Sequence, residues 1–313
     1  MEMRNFFFVV IMVFFLAIIP FFVKLPIYLL ALLNLLLIYM LISLGWNIIG
    51  GLMNYYSFGH GAFFGIGAYT VAILMRDYRA PPMITLPIAA LVASTIALIV
   101  GYPSLRLKGV YFTFSTISLN YIFMLTFTLA PWAGPLGITL PLHPLEPYLV
   151  EIITYGMLFI AVLGSILLTF WIKRSHLGLA IFAIGCDEDA AKVRGINTTK
   201  YKLLAFILSA IPPALSGGIY TYYFLYIDPV TVFSSALSIS AIASTLLGGA
   251  GLVFGPVIGT SIYMILLEIM RYMFPEITGL HIIFSSIIML CIIIIMPRGI
   301  LGEIKEKFRL RVP

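Results

Sequence analysis

The chain has 313 residues, of which 62% are hydrophobic and 10% charged, and it carries a net charge of +6. Soluble globular proteins run near ~45–50% apolar and about 25% charged, and a soluble surface cannot absorb this excess. A soluble multidomain protein is excluded, and so is disorder, because disordered chains are poor in apolar residues. The reading is an all-α integral membrane protein.

Each crossing of a bilayer needs about 20 mostly apolar residues. In chain order the candidate segments are 6–23, 26–49, 60–75, 83–101, 110–130, 148–172, 201–222, 231–247, 252–270 and 280–297, so we expect about ten transmembrane helices, within a range of 8–10. The first is expected to be retained: no small-x-small cleavage site follows it, and Lys24 leads straight into the next segment. Segment 60–75 is short and rich in glycine, which suggests a broken or tilted helix. The connection 131–147 contains five prolines and neither Lys nor Arg, as suits an ordered external loop. The charged connection 173–200 reads as short amphipathic helices.

Alternating these segments with the N-terminus inside puts 14 Lys and Arg on the inner side and 4 on the outer. The reverse orientation would invert the positive-inside bias, so an N-in/C-in topology is expected. Residues 1–302 then form a single polytopic domain that includes the inner loop 173–202, and 303–313 form a basic cytoplasmic tail suited to an anionic membrane surface. Cys186 and Cys291 offer no disulfide framework; the first is expected to be solvated and the second buried.

Coupled pumps and ion channels carry ionisable groups near the bilayer midplane. Here Glu151, Asp228, Glu268 and Glu276 fall near outer ends of segments, where water can reach them, and Asp187, Glu188 and Asp189 lie in the inner loop. Asn34, Ser115, Thr116, Ser118 and Asn120 are neutral and suit interhelical hydrogen bonds. The chain has no Gly-Lys dipeptide and hence no phosphate-cradling loop, and it lacks H-E-x-x-H and G-x-S-x-G. His60, His143, His176 and His281 are scattered. No metal or cofactor is expected on this chain, and work against a gradient would need a separate ATPase.

Two stretches share the pattern G-x-G-x-x-F-G: Gly59-His60-Gly61-Ala62-Phe63-Phe64-Gly65 and Gly249-Ala250-Gly251-Leu252-Val253-Phe254-Gly255. The spacing matches a dinucleotide fingerprint only superficially, because neither copy sits in a βαβ context. Two readings stay open: close helix packing, or turns at the inner starts of two segments that border a translocation path and let helices pivot. His60 is read as a hydrogen-bonded structural histidine.

Within the inner loop, Asp189-Ala190-Ala191 followed by Gly195 resembles the acid-Ala-Ala-x-x-x-Gly signature of ATP-binding-cassette (ABC) importer permeases. An acidic cluster suits a helix N-terminus, paired alanines give a slim face that can enter a partner's groove, and Gly195 can end the helix. Further blocks follow in order: Ser57-Phe58-Gly59-His60-Gly61, Leu105-Arg106-Leu107-Lys108-Gly109, Tyr201-Lys202-Leu203-Leu204-Ala205-Phe206, Leu247-Gly248-Gly249-Ala250-Gly251, and Pro297-Arg298-Gly299-Ile300-Leu301-Gly302. Over about residues 26–302 the chain resembles the branched-chain amino acid permease family of ABC importers, in particular the larger of its two permease subunits. It departs from the family pattern at Asn54-Tyr55-Tyr56 and at Pro212-Pro213, which interrupt what is often a flexible span.

The resemblance implies a type II-like permease fold and a transport subunit, not an enzyme, in a prokaryotic plasma membrane. It implies alternating access for leucine, isoleucine or valine, powered by ATP and Mg on two partner ATPase subunits. A second related permease and an external solute-binding protein complete the machine. It assigns coupling to the ATPase to Asp187, Glu188, Asp189, Ala190, Ala191 and Gly195. It places Ser57, Gly59, His60, Gly61, Gly65, Gly249, Gly251 and Gly255 along the path or gate. The same machine carrying urea, short amides or other amino acids, and a self-sufficient channel, are the alternatives.

Overall fold

The computed structural model describes residue 20 and residues 24–134, 136–142, 145–273, 280–296 and 298–307. Segment 6–23, apart from Pro20, and Glu276 lie outside the described residues. The other expected segments correspond to helices: α1 (Ile27–Trp46, continued by a π-helical turn Asn47–Gly51), α2 (His60–Tyr78), α3 (Pro82–Ser104) and α4 (Val110–Leu129). After a 3₁₀ turn at Pro131–Ala133 and strand β1 (Ile138–Thr139) come α5 (Pro147–Arg174), α6 (His176–Cys186), α7 (Glu188–Val193) and α8 (Thr198–Phe224). Strand β2 (Tyr226–Ile227), α9 (Pro229–Val232), α10 (Ser235–Gly248), α11 (Gly255–Met273), α12 (Leu280–Ile295) and α13 (Gly299–Lys307) complete the order.

Among the described residues, 6 helical stretches are long and apolar enough to span a membrane: Ile27–Gly51, Pro82–Ser104, Val110–Leu129, Pro147–Arg174, Thr198–Phe224 and Pro229–Gly248. The chain is a multi-pass membrane protein. Of these six, α8 is the most buried and α4 the least; α1, α2 and α3 all pack on α8. Small residues permit that packing. A Cβ on Gly217 of α8 would lie 1.9 Å from the Phe64 carbonyl oxygen, and one on Gly67 of α2 would lie 2.0 Å from that of Ala214, so the two backbones touch. Helix α2 is therefore one unbroken helix, not the broken segment expected from its glycines: the glycines serve contact with α8 rather than a bend. Helix α8 likewise runs on through Pro212 and Pro213, both buried against the bundle.

In the described part of the connection after α4 a feature invisible in composition appears: β1 pairs antiparallel with β2, Ile138 opposite Ile227 and Thr139 opposite Tyr226. Arg76 at the end of α2 donates to the Trp132 carbonyl on the same end of the bundle. Two further expectations are corrected. Cys291 is exposed on α12, since a hydrophobic helix in a bilayer can turn any of its faces to lipid. Glu151 is buried, accepting from Asn34 Nδ2 at 2.7 Å and from the Tyr223 hydroxyl at 2.7 Å. Its place near a helix end does not bring it to water, because α1 and α8 cover that turn of α5.

Candidate functional site

The end of the bundle opposite β1 and β2 carries the charged loop, and the local chemistry there explains its shape. Asp187 is extended and caps α7, its Oδ1 accepting from the N–H groups of Asp189 at 2.9 Å and Ala190 at 3.0 Å. Glu188 and Asp189 add negative charge to the first turn, where the helix dipole favours it. At the other end Gly195 has φ +82°, and its N–H donates to the Lys192 carbonyl at 2.9 Å while Ile196 donates to that of Ala191 at 3.1 Å. The expected short helix and its glycine stop are both present, and the Asp187 cap is an addition the sequence reading did not make. Ser175 caps α6 in the same manner, accepting from Gly178 N–H.

The paired alanines divide the helix. Ala191 is buried against the bundle, whereas Ala190 faces outward. Around Ala190 lies a groove of about 390 Å³ lined by Phe182, Ala183, Cys186, Asp187, Ala191 and Arg194. Large apolar side chains stand exposed beside it: Leu179 and Phe182 on α6 and Val193 on α7, the last 89% exposed. Exposed apolar side chains are common on this chain, and these are set apart only by their place at the charged end.

The inner side of α7 is charged, and sequence reading missed it. Lys202 at the start of α8 is buried, its Nζ 3.0 Å from Glu188 Oε1 and donating to the Leu105 carbonyl at 2.8 Å. The Tyr55 hydroxyl donates to Glu188 Oε2 at 2.5 Å, and Lys192 approaches Oε1 at 3.1 Å. Burial alone would push the Glu188 carboxyl up. The hydrogen bonds from Tyr55, Lys202 and Lys192 outweigh that and bring it down to about 2. At Asp189 the exposed Lys108 and Lys192 hold the carboxyl below its usual range. Tyr55 belongs to the Asn54-Tyr55-Tyr56 stretch, and that departure from the family pattern was its only sequence signal.

The first glycine turn is buried and the second only partly so, with Ala250 exposed, and the structure does not bring them together. The Ser57 hydroxyl accepts from Gly59 N–H, and its carbonyl accepts from Trp46 Nε1 at 2.9 Å. Gly61 N–H donates to Ser238 Oγ at 2.8 Å near the start of α10, and Gly65 lies against the Phe233 ring. Gly249 follows the end of α10, Gly251 meets the Gly51 carbonyl, and Gly255 abuts that of Gly249. The two turns are thus separated by most of α10, ~15 Å for ten helical residues. Only the second lies at the charged end, where Lys173 Nζ donates to the Gly251 carbonyl. The first is set deeper, against Asn120 of α4, whose Nδ2 donates to the Phe58 carbonyl at 2.7 Å. His60 is fully buried with the backbone of Gly45 and Ser57 within reach of its ring, although neither ring nitrogen meets full hydrogen-bond geometry.

The neutral mid-span groups behave mostly as expected. Asn34 bridges α1 to α5, Ser115 donates to Ser104 across α4 and α3, and Thr116 accepts from Phe58 N–H. Ser118 instead bonds its own helix at the Phe114 carbonyl. A hydroxyl cluster unforeseen from sequence joins α1, α10 and α11: Ser43 Oγ lies 2.8 Å from Ser244 Oγ and accepts from Thr260 at 3.1 Å. Among the described residues no group of three or more His, Cys, Asp or Glu side chains could hold a metal.

A family profile described as branched-chain amino acid transport system / permease component matches residues 28–296. This chain belongs to that family. It is 26% identical over 303 residues to the high-affinity branched-chain amino acid transport system permease protein LivM of Salmonella typhimurium, covering 88% of this chain and 70% of LivM. To LivH of the same organism it is 24% identical over 288 residues, covering 85% of this chain and 91% of LivH. A shorter match, 36% over 116 residues, joins it to the xylose transport system permease protein XylH of Haemophilus influenzae, covering 35% of this chain and 30% of XylH. No solved structure matches. These relatives are transport permeases, and this family member is a transport component, not an enzyme.

Proposed function

We propose that this chain is one permease subunit of an ABC importer for leucine, isoleucine or valine in a prokaryotic plasma membrane. It has about ten spans in an N-in/C-in, type II-like arrangement. The observation that carries the reading is the two-sided helix α7. Its inner face is locked to the bundle by a buried ion pair, while its outer face offers Ala190, Phe182 and Val193 around an open groove. A surface so held and so exposed suits the docking of a separate cytoplasmic ATPase at Asp187 to Gly195, with ATP and Mg bound by that partner.

The relatives' names support the rest. Likeness to both LivM and LivH fits a pair of related permeases, which together with two ATPase subunits and an external solute-binding protein would make a complete importer. Alternating access then moves the helices beside Ser57–Gly65 and Gly249–Gly255, and buried hydroxyls such as Ser43, Ser244 and Thr260 favour a path for a neutral or zwitterionic solute.

The test uses the assembled complex in proteoliposomes. Labelled leucine should enter only with ATP and loaded binding protein, and exchanging Phe182 and Val193 for Asp should release the ATPase on purification. Leucine flux through this chain alone would establish a channel instead. Uptake of urea or an amide in place of leucine would keep the machine and change its cargo.

A further inference from the structure

We propose that Lys202 is a positioning residue through which displacement of α7 reaches the membrane-spanning bundle, a role that rests on the importer reading above. Its ammonium is the meeting point of four segments: Glu188 on α7 at 3.0 Å, the Leu105 carbonyl just beyond α3 at 2.8 Å, the Tyr55 hydroxyl before α2 at 3.4 Å, and its own helix α8. It also sits 5.1 Å from the centre of the Tyr55 ring.

Burial separates this contact from its neighbours. The side chains of Lys202 and Glu188 are 5% and 10% exposed, whereas those of Lys108 and Asp189, at 3.1 Å, are 55% and 74% exposed. An exposed pair is screened by water and constrains little. Separation would strand the buried Lys202 ammonium away from its carboxylate, even though Glu188 keeps Lys192 at 3.1 Å, so Lys202 cannot move far from α7. A push on α7 is therefore passed to Lys202. From there it reaches α8, the helix on which α1, α2 and α3 pack, and the Leu105 carbonyl passes it to the end of α3. The rim contacts of Asp189 with Lys108 and Lys192 can break and reform during that motion.

The experiment uses the complete complex in proteoliposomes, reading ATPase co-purification and labelled leucine taken up per ATP hydrolysed. Lys202→Met should keep the ATPase bound, because Lys202 lies on the side of α7 away from the groove, yet uptake per ATP should fall by about tenfold or more. Lys202→Arg should recover part of the loss, because a guanidinium can still donate to Glu188 and to the Leu105 carbonyl. Lys108→Met should stay within about twofold of the parent. Normal uptake per ATP in Lys202→Met would overturn the proposal, as would a Lys202→Arg no better than Lys202→Met. Should Lys202→Met fail to insert, Tyr55→Phe decides: it removes one hydroxyl from the cluster, and unchanged uptake per ATP would count against the role. Failure of the importer reading would look different, since the unmodified chain would then bind no ATPase.

Discussion

Asn47 holds the backbone of Gly251: its Oδ1 accepts the Gly251 N–H at 2.8 Å, and its Nδ2 donates to the next carbonyl, of Leu252, at 2.9 Å. Asn47 opens the π-helical turn that ends α1, and π turns frequently occur at functional sites. One buried amide thus ties the end of α1 to the second glycine turn, 204 residues further on. Asn47→Leu should lower stability by about 1–3 kcal/mol by leaving a buried N–H and C=O unpaired. Thermal unfolding in detergent checks this, and an unchanged midpoint would mean that the turn holds without the amide.

At the contact between α2 and α8 the backbones leave no room for a methyl group at Gly67 or Gly217. Gly217→Ala should cost about 1–3 kcal/mol through forced separation of the helices. Gly164→Ala should be neutral or slightly stabilising, because nothing lies within 4 Å of a Cβ there. Equal midpoints for the two variants would remove the packing account.

Gly195 presents the opposite case: open space surrounds it, but its φ is +82°. The penalty for a side chain is conformational, about 1–2 kcal/mol for most residues and less for Asn. Gly195→Val should loosen the last turn of α7, raise amide exchange at Ile196 and weaken transport, while Gly195→Asn should remain close to the parent. Equal exchange in both would show that the backbone conformation there is immaterial.

The Glu188 carboxyl ionises at about 2 in the folded protein, below the usual carboxylate value of about 4.3. A lowered carboxylate adds stability that is fully present above its unfolded value and is lost as pH falls towards the folded one. Docking of α7, followed by amide exchange, should therefore be constant above about pH 5 and weaken towards pH 2. In Lys202→Met one of the two cations is gone while Lys192, Tyr55 and the burial remain, so the loss should begin at higher pH. The same onset in both proteins would show that the pair does not set the ionisation.

Much of this was legible in the residues. Hydropathy located the helices, because a bilayer imposes length and apolarity together, and the pattern from Asp187 to Gly195 announced a short helix with an acidic start and a glycine stop. What was not legible follows from the same uniformity. When nearly every side chain is apolar, hydrophobic periodicity no longer tells a lipid-facing surface from a packed one, which is why Cys291 and Glu151 were misplaced. The glycines of α2 read as a break because sequence shows a small residue but not the Ala214 and Phe64 backbones that require it. Lys202 and Glu188 are 14 residues apart on different helices, and only the fold reveals that they meet. The separation of the glycine turns was hidden likewise, since their similarity said nothing of depth.

The two-residue ladder between Ile138–Thr139 and Tyr226–Ile227 sets a boundary on any motion of the whole. It laces the chain leaving α4 to the chain leaving α8, so those ends travel as one plate. Any relative motion of the helices is then freer at the opposite end, where side-chain contacts such as those of Lys202 and the second glycine turn replace interstrand bonding.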